Sequence, residues 1–332
     1  MTLLLSRYAD AAFWLARYME RAENTARLID VNETFAQDDS GNHNWASIIE
    51  INADTDRFNA LHDEVTGQAV LHFTILEETN PNSILNAVRS ARLNARTLRP
   101  MISTEMWSHV NVFHGRMNRL THADLALGRL NRLCAFVKES CQAHAGVVEG
   151  TLHRDEAWYF YQIGRHLERA DQSTRLLDIK FHLLTAGEMV TGDAAESRQW
   201  NAVLRSAAGY HAFRRIHMRG MNPVDVATFL IHSPDFPRSV ALNVMAMSEL
   251  LTRLRSRFRL RRGAAALERI DEIQAALLER TAKERIDYGL NDFLDWLQLQ
   301  FAALTQDLRE AYFGFAPVPA NTADAGQTQK SA

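Results

Sequence analysis

Only two cysteines, Cys134 and Cys141, occur in the 332 residues of this chain, so no disulfide framework is open to it. Their spacing suits two buried thiols on one helix face, and this usage fits a reducing compartment. Proline and glycine are also scarce, at 7 and 15, which takes away the punctuation that turn-rich β folds need. Strand-like alternation is nearly absent. No run of about 18 apolar residues occurs, which excludes a membrane-spanning helix. The first turns already hold Arg7 and Asp10, so they lack the apolar core of a secretory signal. Neither sign of charge dominates: 37 Lys and Arg face 40 Asp and Glu, a net charge of −3. That balance gives no argument for nucleic acid or a membrane as partner, and a cytoplasmic protein is expected.

Several chemical signatures are missing as well. There is no Gly-x-Ser-x-Gly, no phosphate-binding loop and no dinucleotide fingerprint. The 13 histidines include no His-Glu-x-x-His and no Asp/Glu-x-x-His, so the usual helical zinc and di-iron patterns are absent. No metal and no cofactor is expected.

What is present is helical periodicity and one stretch written twice. Trp14-Leu-Ala-Arg-Tyr-Met-Glu-Arg-Ala-Glu-Asn-Thr-Ala-Arg-Leu-Ile-Asp30 is answered by Ile163-Gly-Arg-His-Leu-Glu-Arg-Ala-Asp-Gln-Ser-Thr-Arg-Leu-Leu-Asp178. Arg17, Glu20, Arg21, Ala22, Arg27, Leu28 and Asp30 recur as Arg165, Glu168, Arg169, Ala170, Arg175, Leu176 and Asp178, without a gap. On a helix, Arg17, Glu20, Asn24 and Arg27 form one stripe, as do Arg165, Glu168, Gln172 and Arg175. The opposite arc, with Trp14, Leu15, Tyr18, Met19, Ala22, Ala26 and Ile29, is wide enough to face a core.

The match continues through Trp45, Phe58 and His62 with Trp200, Phe213 and His217, then through Phe73 with Phe229 and Pro81-Asn-Ser-Ile84 with Pro237-Arg-Ser-Val240. Each Pro-x-Ser marks a helix start that serine can cap. The spacing therefore predicts an all-α fold, a helical bundle built from two tandem homologous helical repeats. The first repeat covers residues 1–150 and the second 151–315, packed together, and a polar tail over 316–332 has almost nothing to bury.

Two readings fit the charged stripes. In one, Arg17, Glu20, Arg27 and their counterparts form a buried ion-pair network with Glu23 or Asp171, and breaking such a pair costs about 3–5 kcal/mol. In the other, arginines of both copies line a central cleft and grip a carboxylate or phosphate bidentately, with Glu20 or Glu168 as general base. A further stripe, Arg89, Arg92, Arg96 and Arg99, repels itself and needs anions; Glu20, Glu23 and Glu105 are the expected partners, a polyanionic ligand the other reading. Glu105 and His109 lie one helical turn apart near Trp107 and Asn111, a spacing that permits a hydrogen-bonded dyad. Cys141 and His144 read as core residues. The cluster Arg253 to Arg262 has one aromatic, Phe258, and reads as a partner surface or solvated helix end rather than a nucleic-acid site.

With Leu5-Ser-Arg-Tyr-Ala-Asp10 placed before the repeated stretch, the chain resembles the bacterial α-E family nearly end to end. Asn82-Ser-Ile84, Ala91-Arg, Asn94-Ala-Arg96, Ile102-Ser-Thr-Glu-Met-Trp107, Asn111, Glu168-Arg-Ala-Asp171 and Tyr312-Phe313 carry the resemblance. Leu93 departs from it, where glutamate is expected. The resemblance implies an all-helical protein encoded beside a circularly permuted ATP-grasp protein and often a transglutaminase-like protein, a grouping that makes or attaches peptide-like amide bonds. It implies no reaction for this chain. The expected function is an accessory or scaffold protein of such a system, with an Arg/Glu-lined cleft. The alternative is an enzyme of peptide or amino-acid modification, with Glu20 or Glu168 as base and Arg17, Arg27, Arg165, Arg175, Arg92 and Arg96 holding an anionic substrate. Asn24, Gln172, Glu105 and Asn111 would support either site.

Overall fold

A computed structural model describes residues 4–37, 45–185, 193–218 and 220–314. The polar stretch 38–44 and the tail expected over 316–332 lie outside these. Every regular element among the described residues is helical. The described residues fall into two compact units, one reaching to Arg165 and resuming at Tyr312, the other His166–Ala311.

The first unit holds α1 (Ser6–Gln37), α2 (Ala46–Ile51), α3 (Thr55–Asn59), α4 (Gly67–Ile75), α5 (Ile84–Thr97), α6 (Thr104–Met117), a 3₁₀ turn His122–Leu125, α7 (Leu127–Thr151) and the start of α8 (Glu156–Thr185). Its centre is α1, which packs against α5 and α7, with α6 joining those two. The apolar arc of α1 is buried throughout, from Trp14 and Leu15 to Ala26 and Ile29. The small residues there allow close neighbours, and one position requires it. Gly164 of α8 lies on the backbone of α1, where an added Cβ would stand 3.0 Å from the Phe13 carbonyl carbon and nearer still to its oxygen. Phe13 also meets Phe313 at 5.3 Å between ring centroids, so the returning chain end closes on the same place.

The second unit continues along α8 and adds α9 (Asp193–Ser206), α10 (Tyr210–Ile216), α11 (Pro223–His232), α12 (Val240–Arg257), α13 (Ala264–Glu279), α14 (Ala282–Tyr288) and α15 (Leu290–Leu308). Here α12 packs on α13, α13 on α15, and α11 on α12 and α14. Trp200, Phe213, Met247, Ile270, Leu297 and Phe301 fill its core.

Serine and threonine set where these helices begin. Ser83 accepts from the Asn86 amide and Ser239 from the Leu242 amide, each at 3.2 Å, so both Pro-x-Ser segments start helices as their pattern predicts. Ser103 caps α6 in the same way, accepting from Met106 at 3.1 Å.

Candidate functional site

The charged stripe of the first unit is not a solvated ridge. Arg17 is 0% and Glu20 5% exposed, Arg21 and Glu23 are buried with them, and Asn24 and Arg27 are half-buried. The reason is length and position: α1 runs through the middle of its unit, so neighbours cover its polar side as well as its apolar one. Buried charges must be paired or hydrogen-bonded to persist. Arg27 donates to Glu23 at 2.6 Å, and Gln142 of α7 reaches the same carboxylate oxygen at 3.3 Å. The Arg17 guanidinium lies over the faces of Trp14 and Phe13, at 4.8 and 5.6 Å. Lys138 of α7 pairs with Asp30 at 2.6 Å.

Arg21 opens a network that the sequence does not announce. It donates to the Asn82 side-chain oxygen at 3.1 Å, Asn82 donates to Asp54 at 2.9 Å, and Arg57 pairs with Asp54 at 2.7 Å. Burial raises the Asp54 pKa above the usual carboxylate value, opposed by the bonds from Asn82 and Arg57 and by the charges of Arg57 and Arg21. The repeated Glu-Arg pair was the available signal for Arg21. Asn82 stood out only as part of the Pro-x-Ser segment and not as a partner of Arg21, and nothing local pointed to Asp54; tertiary packing brings both in.

In the second unit, Glu168 is 0% exposed and Asp171 is buried, while Gln172 and Arg175 are half-buried. Arg175 donates to Asp171 at 3.1 Å, the same helical spacing as Arg27 and Glu23. Ser173 donates to the Arg238 carbonyl at 2.6 Å, tying α8 to the Pro-x-Ser segment before α12. Arg165 belongs to the first unit and is half-buried.

The α5 arginines find other partners than Glu20, Glu23 and Glu105. Arg89 pairs with Glu78 at 2.8 Å and bonds Asn118 at 3.1 Å. Arg92 donates to Asn111 at 2.7 Å, and Asn111 in turn donates to the Trp107 carbonyl at 3.0 Å. Arg92 and Arg99 both lie over the Trp107 ring, at 5.7 and 5.8 Å. Arg96, between them in sequence, is exposed. No ion pair links Arg92, Arg96 or Arg99 to another described residue. Leu93 and Val112, 58% and 61% exposed, lie on the solvent sides of α5 and α6. Burial first, then the positive charges of Arg92 and Arg89, lower the His114 pKa.

The Glu105–His109 dyad does not form. Glu105 is exposed in the first turn of α6, and the His109 Nε2 meets the Ser140 carbonyl at 2.7 Å. Cys134 and Cys141 are buried free thiols, and burial pushes the Cys134 pKa up to about 12, far from a nucleophile's range. His144 is buried beside His109 and Tyr161, each 6.0 Å away between rings. Among the described residues no group of three His, Cys, Asp or Glu is placed to hold a metal ion, and no helix is long and apolar enough to cross a membrane.

Compared with known proteins, residues 4–313 match a family described as a predicted alpha-helical domain with a conserved ER motif. Glu20-Arg21 and Glu168-Arg169 are the Glu-Arg pairs of the stretch written twice; Glu-Arg also occurs at Glu268-Arg269, Glu279-Arg280 and Glu284-Arg285. No curated protein matches, and no solved structure does.

Proposed function

The chain belongs to the Alpha-E family, and from that premise we propose that it is an accessory or scaffold protein of a peptide or amide-bond-forming system. Its partner is a circularly permuted ATP-grasp protein, with a transglutaminase-like protein as a second component. The observation that carries this reading is the α5–α6 surface. Arg92 and Arg99 lie over Trp107, Arg96 is exposed on the same helix, and none of the three has a carboxylate to neutralise it among the described residues. Arginine and tryptophan are the residue types that dominate interface energetics, and Leu93 and Val112 on the same two helices are exposed apolar side chains. An acidic patch on the partner is the complementary surface.

Burial counts against the alternative, in which the chain is itself an enzyme. Glu20 and Glu168, the candidate bases, are 5% and 0% exposed, and a general base must come within hydrogen-bond reach of its substrate. The intrahelical pairs Glu23–Arg27 and Asp171–Arg175 favour a structural part for the charged stripes.

We also read the two halves as a duplicated helical module. In support, the helix order α1, α2, α3, α4, α5 is answered by α8, α9, α10, α11, α12, and the capped starts at Ser83 and Ser239 fall at equivalent places. The halves have since diverged: where the first has Asn82 bonded to Arg21, the second has Arg238.

Co-expression with the ATP-grasp neighbour tests the docking. A complex is expected that weakens as salt rises, because exposed charges are screened. Replacing Arg92, Arg96 and Arg99 together by alanine is expected to weaken it by about tenfold or more. A complex indifferent to both salt and the triple variant would remove this surface from the interface.

A further inference from the structure

Residues of α13, α14 and α15 border an open pocket of about 350 Å³ in the second unit. This is at the small end of the roughly 300–1,000 Å³ of ligand sites, suited to a single small molecule rather than a nucleotide. Its shape follows from two local devices. Thr281 and Glu284 form a reciprocal capping box, the Thr281 amide donating to Glu284 at 2.7 Å, which fixes the start of α14. Gly289, at φ 111°, then turns the chain directly from α14 into α15. A Cβ there would stand 3.1 Å from the Asp292 carboxylate, so the tight turn also keeps that carboxylate close to the pocket.

The lining combines charge and aromatic surface. The Arg285 guanidinium stacks on Phe293 at 3.3 Å and donates to the Ala276 carbonyl at 2.6 Å, so it is held flat and in place. Phe293 and Trp296 lie nearly parallel, 13° apart with centroids 6.0 Å apart, and Trp296 is half-exposed. Glu279, Arg280 and Asp292 are exposed around them. Four charges thus share one pocket, two guanidiniums and two carboxylates, and no ion pair joins any of them to another described residue. A simple anion would meet Glu279 and Asp292, and a simple cation would meet both arginines. A molecule carrying both signs meets neither conflict.

We propose that this pocket binds a free α-amino acid with an aromatic or large apolar side chain. Its carboxylate faces Arg280 and Arg285, its ammonium faces Glu279 and Asp292, and its side chain lies on Trp296. Guanidinium and carboxylate form the strongest of these contacts, since both partners are ionised and the Arg285 plane is fixed. Burial holds the Arg285 pKa below its ordinary value, with Glu279 opposing that shift and Arg280 adding to it. A bound carboxylate would relieve the same strain. The site is distinct from the α5–α6 surface and does not depend on the docking reading.

Isothermal titration of the full chain tests this with three probes: L-phenylalanine, N-acetyl-L-phenylalanine and L-phenylalaninamide. Phenylalanine is expected to bind, and each blocked compound to bind about tenfold or more weakly, because each leaves one pair of charges unanswered. Arg280→Gln and the Glu279→Gln, Asp292→Asn pair are expected to cost a similar factor with the thermal midpoint unchanged, since all three side chains are exposed. The Arg92→Ala variant should bind as the unaltered chain does. No binding of phenylalanine at millimolar concentration overturns the proposal. So does equal affinity for the blocked compounds, or affinity untouched by the charge variants.

Discussion

His144 shows what a single residue of this interior does to stability. It is fully buried on α7, and burial, with His109 adding to it, lowers its pKa to about 3. In the unfolded chain the same imidazole titrates near its ordinary 6.5. Between these values the unfolded chain binds a proton that the folded one refuses, so stability falls as pH drops from about 6.5 toward 3. The slope reaches about 1.4 kcal/mol per pH unit. Replacing His144 with leucine should flatten the dependence of the urea midpoint on pH across that window; an identical slope in both proteins would contradict the assignment. Asn82 makes a second case. It is the link between Arg21 and Asp54, and Asn82→Ala should cost about 1–3 kcal/mol in denaturant titration by leaving buried polar groups without their bond. Its weight was hidden in the sequence, because Arg21 and Asn82 are 61 residues apart. The arginine half of the contact was legible as a repeated motif; the asparagine half depended on how α1 meets the start of α5.

At the scale of elements, close helix packing rests on Gly164. Its missing Cβ lets α8 touch the backbone of α1 at Phe13, so Gly164→Ala forces backbone apart rather than a mobile side chain. A loss of about 1–3 kcal/mol or more is expected in thermal unfolding. Gly150, on α7 with open space around it, is the contrasting position. There Gly150→Ala should stabilise by about 0.4–1 kcal/mol, and a loss at Gly150 to match that at Gly164 would show that the close approach to Phe13 is not what makes Gly164 sensitive. Helices themselves were readable from periodicity, and the Pro-x-Ser starts from serine's ability to cap. For the charged side of α1 the spacing left two readings, a buried ion-pair network and a ligand cleft, and did not choose between them. Packing of α5 and α7 on α1 leaves Arg17 and Glu20 buried. The α13–α15 pocket was illegible for a related reason, since three helix ends must meet before its four charges share a space.

For the molecule as a whole, the question is whether its acids do chemistry or hold helices in register. Buried Glu20 and Glu168, paired or hydrogen-bonded charges around them, and an exposed arginine face elsewhere favour a protein that acts through what it binds. Amide-bond formation by the proposed complex with the ATP-grasp protein, measured with the unaltered chain and with Glu20→Gln, bears on this most directly. Docking without catalysis predicts turnover within about twofold of the unaltered complex once equal amounts of folded complex are compared, a difference well under the 1.4 kcal/mol that a tenfold change represents. Turnover lost by orders of magnitude, with the fold and the complex intact, would make Glu20 a catalytic base and contradict the scaffold reading.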